Sequence, residues 1–382
     1  MSVRTVWSLG NLSRSVIRGA ALRHVQAGGR RWGGTRPRCP PPWYSMGTPL
    51  CAMSAGRRAG SRDSSLRPPF ILMSAAFSIF SKLHEADEDL SEPEQQIVYL
   101  LKKAKLSIMK GEMDEAEEIL HRTLHLAQKN KSNRAIIYTY DLMANVALLR
   151  GQYDNAEKLF KTTMGYMLES EIKQDDNSFL EISLKLASIY ASQNQKHLAV
   201  AGYQFCILSL EEKTKMERDL PQDTITAEEK TNTRLLLGLS LDSYARYLVS
   251  QSQLSHAQVM LERALLICKE EQGDLHPQTI TLLNDLATVM EAQGRYDEAY
   301  AFVSQALPLA EKADHPDHHI LLTNMATILM HQGGMEHLAD AERIFREALK
   351  KAEEKKDAIS VQYIQEGLSK LTKRKEEKGQ KI

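Results

Sequence analysis

Two groups of side chains have the spacing of metal ligands. His121 and His125 stand four apart, so a helix would present both imidazoles on one face. Asp314, His315, Asp317, His318 and His319 crowd into six positions. A zinc site needs three or four ligands held together. The first pair has no evident third ligand. The second group lies in a loop whose His315-Pro316 repeats an earlier His276-Pro277, a repetition that points to loop and capping geometry. Of the four cysteines, Cys39 and Cys51 fall in an arginine-rich leader, and Cys206 and Cys268 are far apart with no CxxC, so both are expected to fill core positions. No GxxxxGK[ST], GxGxxG after a strand, HExxH or GxSxG occurs. The expectation is a chain with no catalytic residues, no metal and no cofactor.

The chemistry that remains is recognition. Lys105, Asn145, Lys185, Arg246 and Asn324 are polar residues on otherwise apolar helical stretches. They could grip a peptide backbone or its carboxylates, or form part of a solvated face.

The elements that position them are helices throughout. From about Glu94 apolar residues recur at i, i+3, i+4 and i+7, and proline is sparse. A small residue is followed twelve positions later by alanine, then a large apolar residue at +16 and a small one at +19. The units are Ala104–Ala116–Leu120–Thr123, Ala144–Ala156–Phe160–Thr163, Ala187–Ala199–Tyr203–Cys206, Ala245–Ala257–Leu261–Ala264 and Ala287–Ala299–Val303–Ala306. A sixth, Ala326–Ala341–Phe345–Ala348, carries three extra residues, placed by this reading in the turn around Gly333-Gly334. The alanines let two helices of a hairpin approach closely, and the large residue fills the space to the next hairpin. Two turns, at Gly151 and Gly294, share the pattern G-x-Y-D-x-A, in which glycine ends one helix and Asp154 or Asp297 caps the next. Residues 211–233, broken by Pro221, form an insertion expected to be an exposed helix extension and loop. After Asp357, the stripe Val361, Ile364, Leu368 and Leu371 predicts a capping helix and charged tail over 356–382.

The net charge of zero hides two different objects. Up to Arg67 there are twelve arginines, no lysine and one acid, mixed with Ser, Gly, Ala and Pro; the remainder is net acidic. Arginine without acid is the composition of a mitochondrial transit peptide, so residues 1–67 are read as a disordered leader. The uncharged residues 68–81 are shorter than the roughly 20 needed to span a bilayer, and are read as a membrane-contacting segment followed by an acidic linker over 82–93. An acidic body disfavours nucleic acid as a partner.

The alanine register and the two glycine turns resemble the tetratricopeptide repeat family. That likeness implies an all-α, right-handed superhelical array of antiparallel hairpins, with six extended repeats over 94–355 and the first helices lining a concave binding face. The first-helix alanines are 40, 43, 58, 42 and 39 residues apart, longer than the family's standard and similar to kinesin light chains, which keeps a cytosolic peptide or cargo adaptor as the alternative. Only scattered members of the family's carboxylate clamp are present, so a chaperone partner is not expected. Residues 104–110, 138–145 and 182–191, with the leader, resemble a mitochondrial branch of the family. This implies a non-enzymatic role at the inner membrane. The partners it implies are subunits of respiratory complex III, the ubiquinol–cytochrome c reductase, including turnover of Rieske iron–sulfur subunit fragments.

Overall fold

A computed structural model describes residues 91–219, 221 and 224–379. The transit-peptide, apolar-segment and most of the linker readings lie outside these residues. Among the described residues the chain forms thirteen α-helices and no strand. They are α1 (Glu92–Lys110), α2 (Met113–Lys129), α3 (Asn133–Leu149), α4 (Tyr153–Glu169), α5 (Asn177–Ser192), α6 (Lys196–Asp219), α7 (Ala227–Ser250), α8 (Leu254–Gln272), α9 (Pro277–Ala292), α10 (Tyr296–Lys312), α11 (His318–Gln332), α12 (Met335–Glu354) and α13 (Ala358–Gly379).

Two compact units divide inside α7, between Ser240 and Leu241. In the first, α1–α2, α3–α4 and α5–α6 form hairpins, and α1, α2 and α3 share a core that includes Ile97, Leu101, Ala104, Ala116, Leu120, Tyr138 and Leu142. In the second, the end of α7 precedes α8, and the hairpins α9–α10 and α11–α12 follow. The register alanines sit at the helix contacts. Ala104, Ala116, Ala144, Ala156, Ala187, Ala199, Ala245, Ala257, Ala287, Ala299, Ala326 and Ala341 are all fully buried. Phe160, Tyr203 and Phe345, four positions after the second alanine, are buried too, each contributing about 2–3 kcal/mol by removal from water. Gly202 shows how close the helices come: a Cβ there would stand 2.8 Å from Ala187 Cβ.

The first five hairpin turns are each closed by one residue at positive φ, whereas the α11–α12 turn uses two, Gly333 and Gly334. Gly151 (φ 69°) and Gly294 (φ 77°) hold this place in the two G-x-Y-D-x-A turns, whereas Asn194 (φ 58°) and Ser252 (φ 60°) hold it in their neighbours. The same two bonds close all four, for example Gly151 N–H to Leu148 O at 2.9 Å and Gln152 N–H to Ala147 O at 2.9 Å. The aspartates of the motif do not cap. Asp154 and Asp297 lie inside α4 and α10, behind Gln152 and Arg295, whose side chains make no capping bond. Their carboxylates instead receive the side-chain amides of Gln193 and Gln332 from the next hairpin, each at 2.8 Å. Arg150 reaches Asp114 in the same register at 2.6 Å. A side chain from the next hairpin competes successfully for an acid that sequence alone assigns to its own helix.

The three extra residues of the last hairpin are not in its turn. Only Gly333 and Gly334 separate α11 from α12; the addition lengthens the first turn of α12 ahead of Ala341. Residues 211–233 extend both α6 and α7 to 24 residues. Their inner side is polar and engaged: Thr233 Oγ1 donates to buried Glu217 at 3.0 Å, Asn177 Nδ2 donates to Thr233 Oγ1 at 3.0 Å, and Lys213 Nζ donates to Asn177 Oδ1 at 2.8 Å. At the far end α13 packs on α12, burying Ile364 and Leu371 beside Phe345, with Val361 and Leu368 partly covered. Asp357 caps α13 by accepting from the Ser360 N–H and hydroxyl, and His319 Nε2 of α11 lies 3.2 Å from the same carboxylate. Burial alone would raise the Asp357 carboxyl, but these bonds more than offset it and hold it below its ordinary range.

Candidate protein-interaction surface

The first helices of successive hairpins meet through polar residues at three register positions: three before, two before and one after the first alanine. Asp141 of α3 stands three before Ala144, and Lys185 of α5 two before Ala187. Lys185 Nζ lies 3.4 Å from Asp141 Oδ1 and 3.5 Å from Glu181 Oε1, and sits 5.4 Å from the centre of the Phe160 ring. Asn145 Nδ2 donates to Asp141 Oδ2 at 3.0 Å. In the second unit, Arg246 bridges Asp242 of its own helix at 3.1 Å and Asp285 of α9 at 2.6 Å. Asn324 Nδ2 of α11 donates to Asn284 Oδ1 of α9 at 2.8 Å. Residues two before the alanine thus receive or return bonds from the preceding first helix in three hairpins.

This arrangement places the five candidate peptide-gripping residues. Asn145, Lys185 and Asn324 are buried, and the side-chain nitrogen of each bonds within the fold. A side chain buried between two helices cannot also reach a peptide without the helices parting. Lys105 on α1 and Arg246 on α7 remain half-exposed. Burial disfavours the charged form of Arg246, yet the Asp242 and Asp285 carboxylates outweigh it and raise its affinity for the proton. No sequence signal announced Asp141, Asp242, Asn284 and Asp285 as partners, because each is an ordinary polar residue until its neighbouring helix is placed.

Electrostatics single out one group. Burial pushes the Glu181 carboxyl up to about 7; Lys185 pulls it down and Asp141 pushes it further up. Two carboxylates share one buried ammonium, so one proton relieves the excess negative charge.

The histidines act as structural pieces. His276 Nδ1 accepts from the Gln278 N–H at 3.2 Å and caps α9 ahead of Pro277. His315 makes the same bond in the turn ahead of α11, its Nδ1 accepting from the N–H of Asp317 at 3.1 Å, while its Nε2 lies 3.3 Å from Pro277 O of the previous loop. His121 and His125 are exposed on α2. Among the described residues no three His, Cys, Asp or Glu side chains are grouped to hold a metal. Cys206 and Cys268 are free and buried, and burial raises both thiols, Cys268 to about 12.

Consecutive antiparallel hairpins with small residues at their contacts define a tetratricopeptide repeat protein. A tetratricopeptide repeat profile matches residues 236–312 and 283–354. The fold is shared with the apo form of RapI, at a TM-score of 0.53 and 14% identity, covering 75% of this chain and 76% of that one. Human tetratricopeptide repeat protein 19, mitochondrial, is 54% identical over 289 residues, 76% of this chain and 75% of the human protein. The rat protein of that name is 48% identical over 355 residues, 92% of this chain and 95% of the rat one. The chain belongs to the tetratricopeptide repeat protein 19 family.

Proposed function

We propose that the chain is a non-enzymatic protein-interaction scaffold of the mitochondrion, associated with the inner membrane. In this reading it supports the assembly, maintenance and integrity of respiratory complex III and the clearance of Rieske subunit fragments. The observation that carries the mitochondrial part is the match to the rat relative, which spans 92% of this chain and must include part of the arginine-rich leader. The absence of catalytic motifs in the sequence, together with side chains committed to helix contacts, supports a binding role. The complex III assignment rests on the resemblance carried by residues 104–110, 138–145 and 182–191. The test is removal of the protein from cells followed by re-expression. Loss of ubiquinol–cytochrome c reductase activity with accumulation of Rieske fragments, both restored by the full chain, is expected. Unchanged complex III in its absence, or a protein that fractionates with cytosol, would overturn the reading.

A further inference from the structure

Helix α1 turns Ile97, Leu100, Leu101, Ala104 and Ser107 into the core. The opposite side is not purely polar, as the outer face of a surface helix ordinarily is; exposed Gln95 and Lys102 share it with large apolar side chains. It carries Tyr99, Leu106 and Met109, 65%, 50% and 63% exposed. At 100° per residue these three share one stripe. Lysines lie in and beside the stripe: Lys102 between Leu106 and Met109, Lys105 beyond Met109, and Lys103 and Lys110 along the Tyr99 edge. Lys103 pairs with Glu115 of α2 at 3.2 Å while both stay half-exposed, and Lys102 and Lys110 are exposed with no ion pair among the described residues. Between Lys102 and Lys110 the helix has no acid. Its two acids are in the first turn: Glu94 is engaged by Ser91, while Glu92 is exposed two turns before Tyr99; Asp114 on α2 is engaged by Arg150.

An exposed apolar stripe with lysines in and beside it is the pattern of a helix lying at a lipid surface, where the rings and alkyl chains enter the headgroup boundary and the ammonium groups meet phosphates. We propose that this face of α1 docks on an anionic phospholipid surface. Charge complementarity selects this occupant. The chain from Pro68 onward is net acidic, so an anionic surface repels most of it and attracts this local cationic face. The sequence adds continuity: the uncharged residues 68–81 end ten residues before α1, a tether of at most roughly 35 Å. Among the described residues no helix is long and apolar enough to cross a membrane, so contact through a face is the mode open to this body. The proposal deepens the membrane-associated part of the function above, but its test needs only purified chain and lipid.

The experiment places a benzophenone amino acid at position 106, or at exposed position 125 of α2 as the control, in the full chain. Each protein is irradiated with vesicles of phosphatidylcholine alone or mixed with phosphatidylglycerol. Lipid adducts at 106 well above those at 125 are expected, on the mixed vesicles only. Lys102→Gln and Lys110→Gln should each lower them roughly five-fold, and raised salt should do the same. Both lysines are exposed, so circular dichroism should be unchanged. Equal adducts at 106 and 125, or adducts indifferent to lipid charge, would overturn the proposal, since residues 68–81 would then account for any vesicle binding. A protein adduct at 106 in intact mitochondria would overturn it in favour of a protein partner. Failure of the complex III test alone would leave these outcomes unaffected.

Discussion

Lys185 Nζ lies 3.4 Å from Asp141 Oδ1, joining two consecutive first helices with both side chains buried. Glu181, one turn before Lys185, completes a group with two carboxylates and one cation. A folded-state pKa of about 7 against an ordinary 4.5 means the folded chain holds this proton more tightly than the unfolded chain. The associated stability is full below pH 4.5 and is lost as pH rises through about 7, by roughly 3 kcal/mol at most. Glu181→Gln should therefore improve its standing relative to the parent between pH 5 and pH 8. Urea denaturation of both proteins at both values checks this; a constant difference would contradict it.

Removing the cation leaves Asp141 buried with no positive charge beside it, its carboxylate held by the Asn145 amide. Lys185→Met should cost about 3–5 kcal/mol, and Lys185→Met with Asp141→Leu should recover much of that loss. A double-mutant cycle reads the coupling; additive losses would show that the two residues act independently.

Close helix approach makes a second class of change costly. Gly202→Ala brings a Cβ to 2.8 Å from that of Ala187. Ala156→Leu and Ala299→Leu insert bulk at fully buried contacts. Each is expected to cost about 1–3 kcal/mol in denaturation midpoints. Unchanged midpoints would place the hairpin contact elsewhere.

Ser252 adopts φ 60° at an exposed turn where the next hairpin uses Gly294. Ser252→Gly should stabilise by about 0.5–1 kcal/mol, because relief of left-handed strain exceeds the entropy added to the unfolded chain. Gly151→Ser should do the reverse, and thermal melting of the pair measures both signs.

Gly367 faces the Phe345 ring, where a Cβ would stand 2.9 Å from its edge carbons. Gly367→Val should lift α13 from α12 and speed hydrogen exchange and proteolysis over 358–379. The first unit should keep its protection. Loss of protection throughout would show instead that the final helix and the first unit unfold together.

The amino-acid sequence by itself determined the helical character, the hairpin register and the burial of its alanines. Those features repeat because every hairpin must present small residues at the same contact, and a repeated local requirement leaves a period that can be read. It also determined which turns carry glycine, and the apolar stripe of the final helix. What only the tertiary structure decided is the fate of the polar residues. Asp154 and Asp297 have the chemistry of caps, yet Gln193 and Gln332 claim them from the next hairpin. Lys185 and Asn324 have the chemistry of a peptide grip, yet the preceding first helix supplies Asp141 and Asn284 and buries them. A hydrogen bond is directional and short, so its partner depends on a neighbouring helix placed to within an ångström or so. Hydrophobic burial asks only that a side chain face inward, and a one-dimensional pattern suffices to encode that.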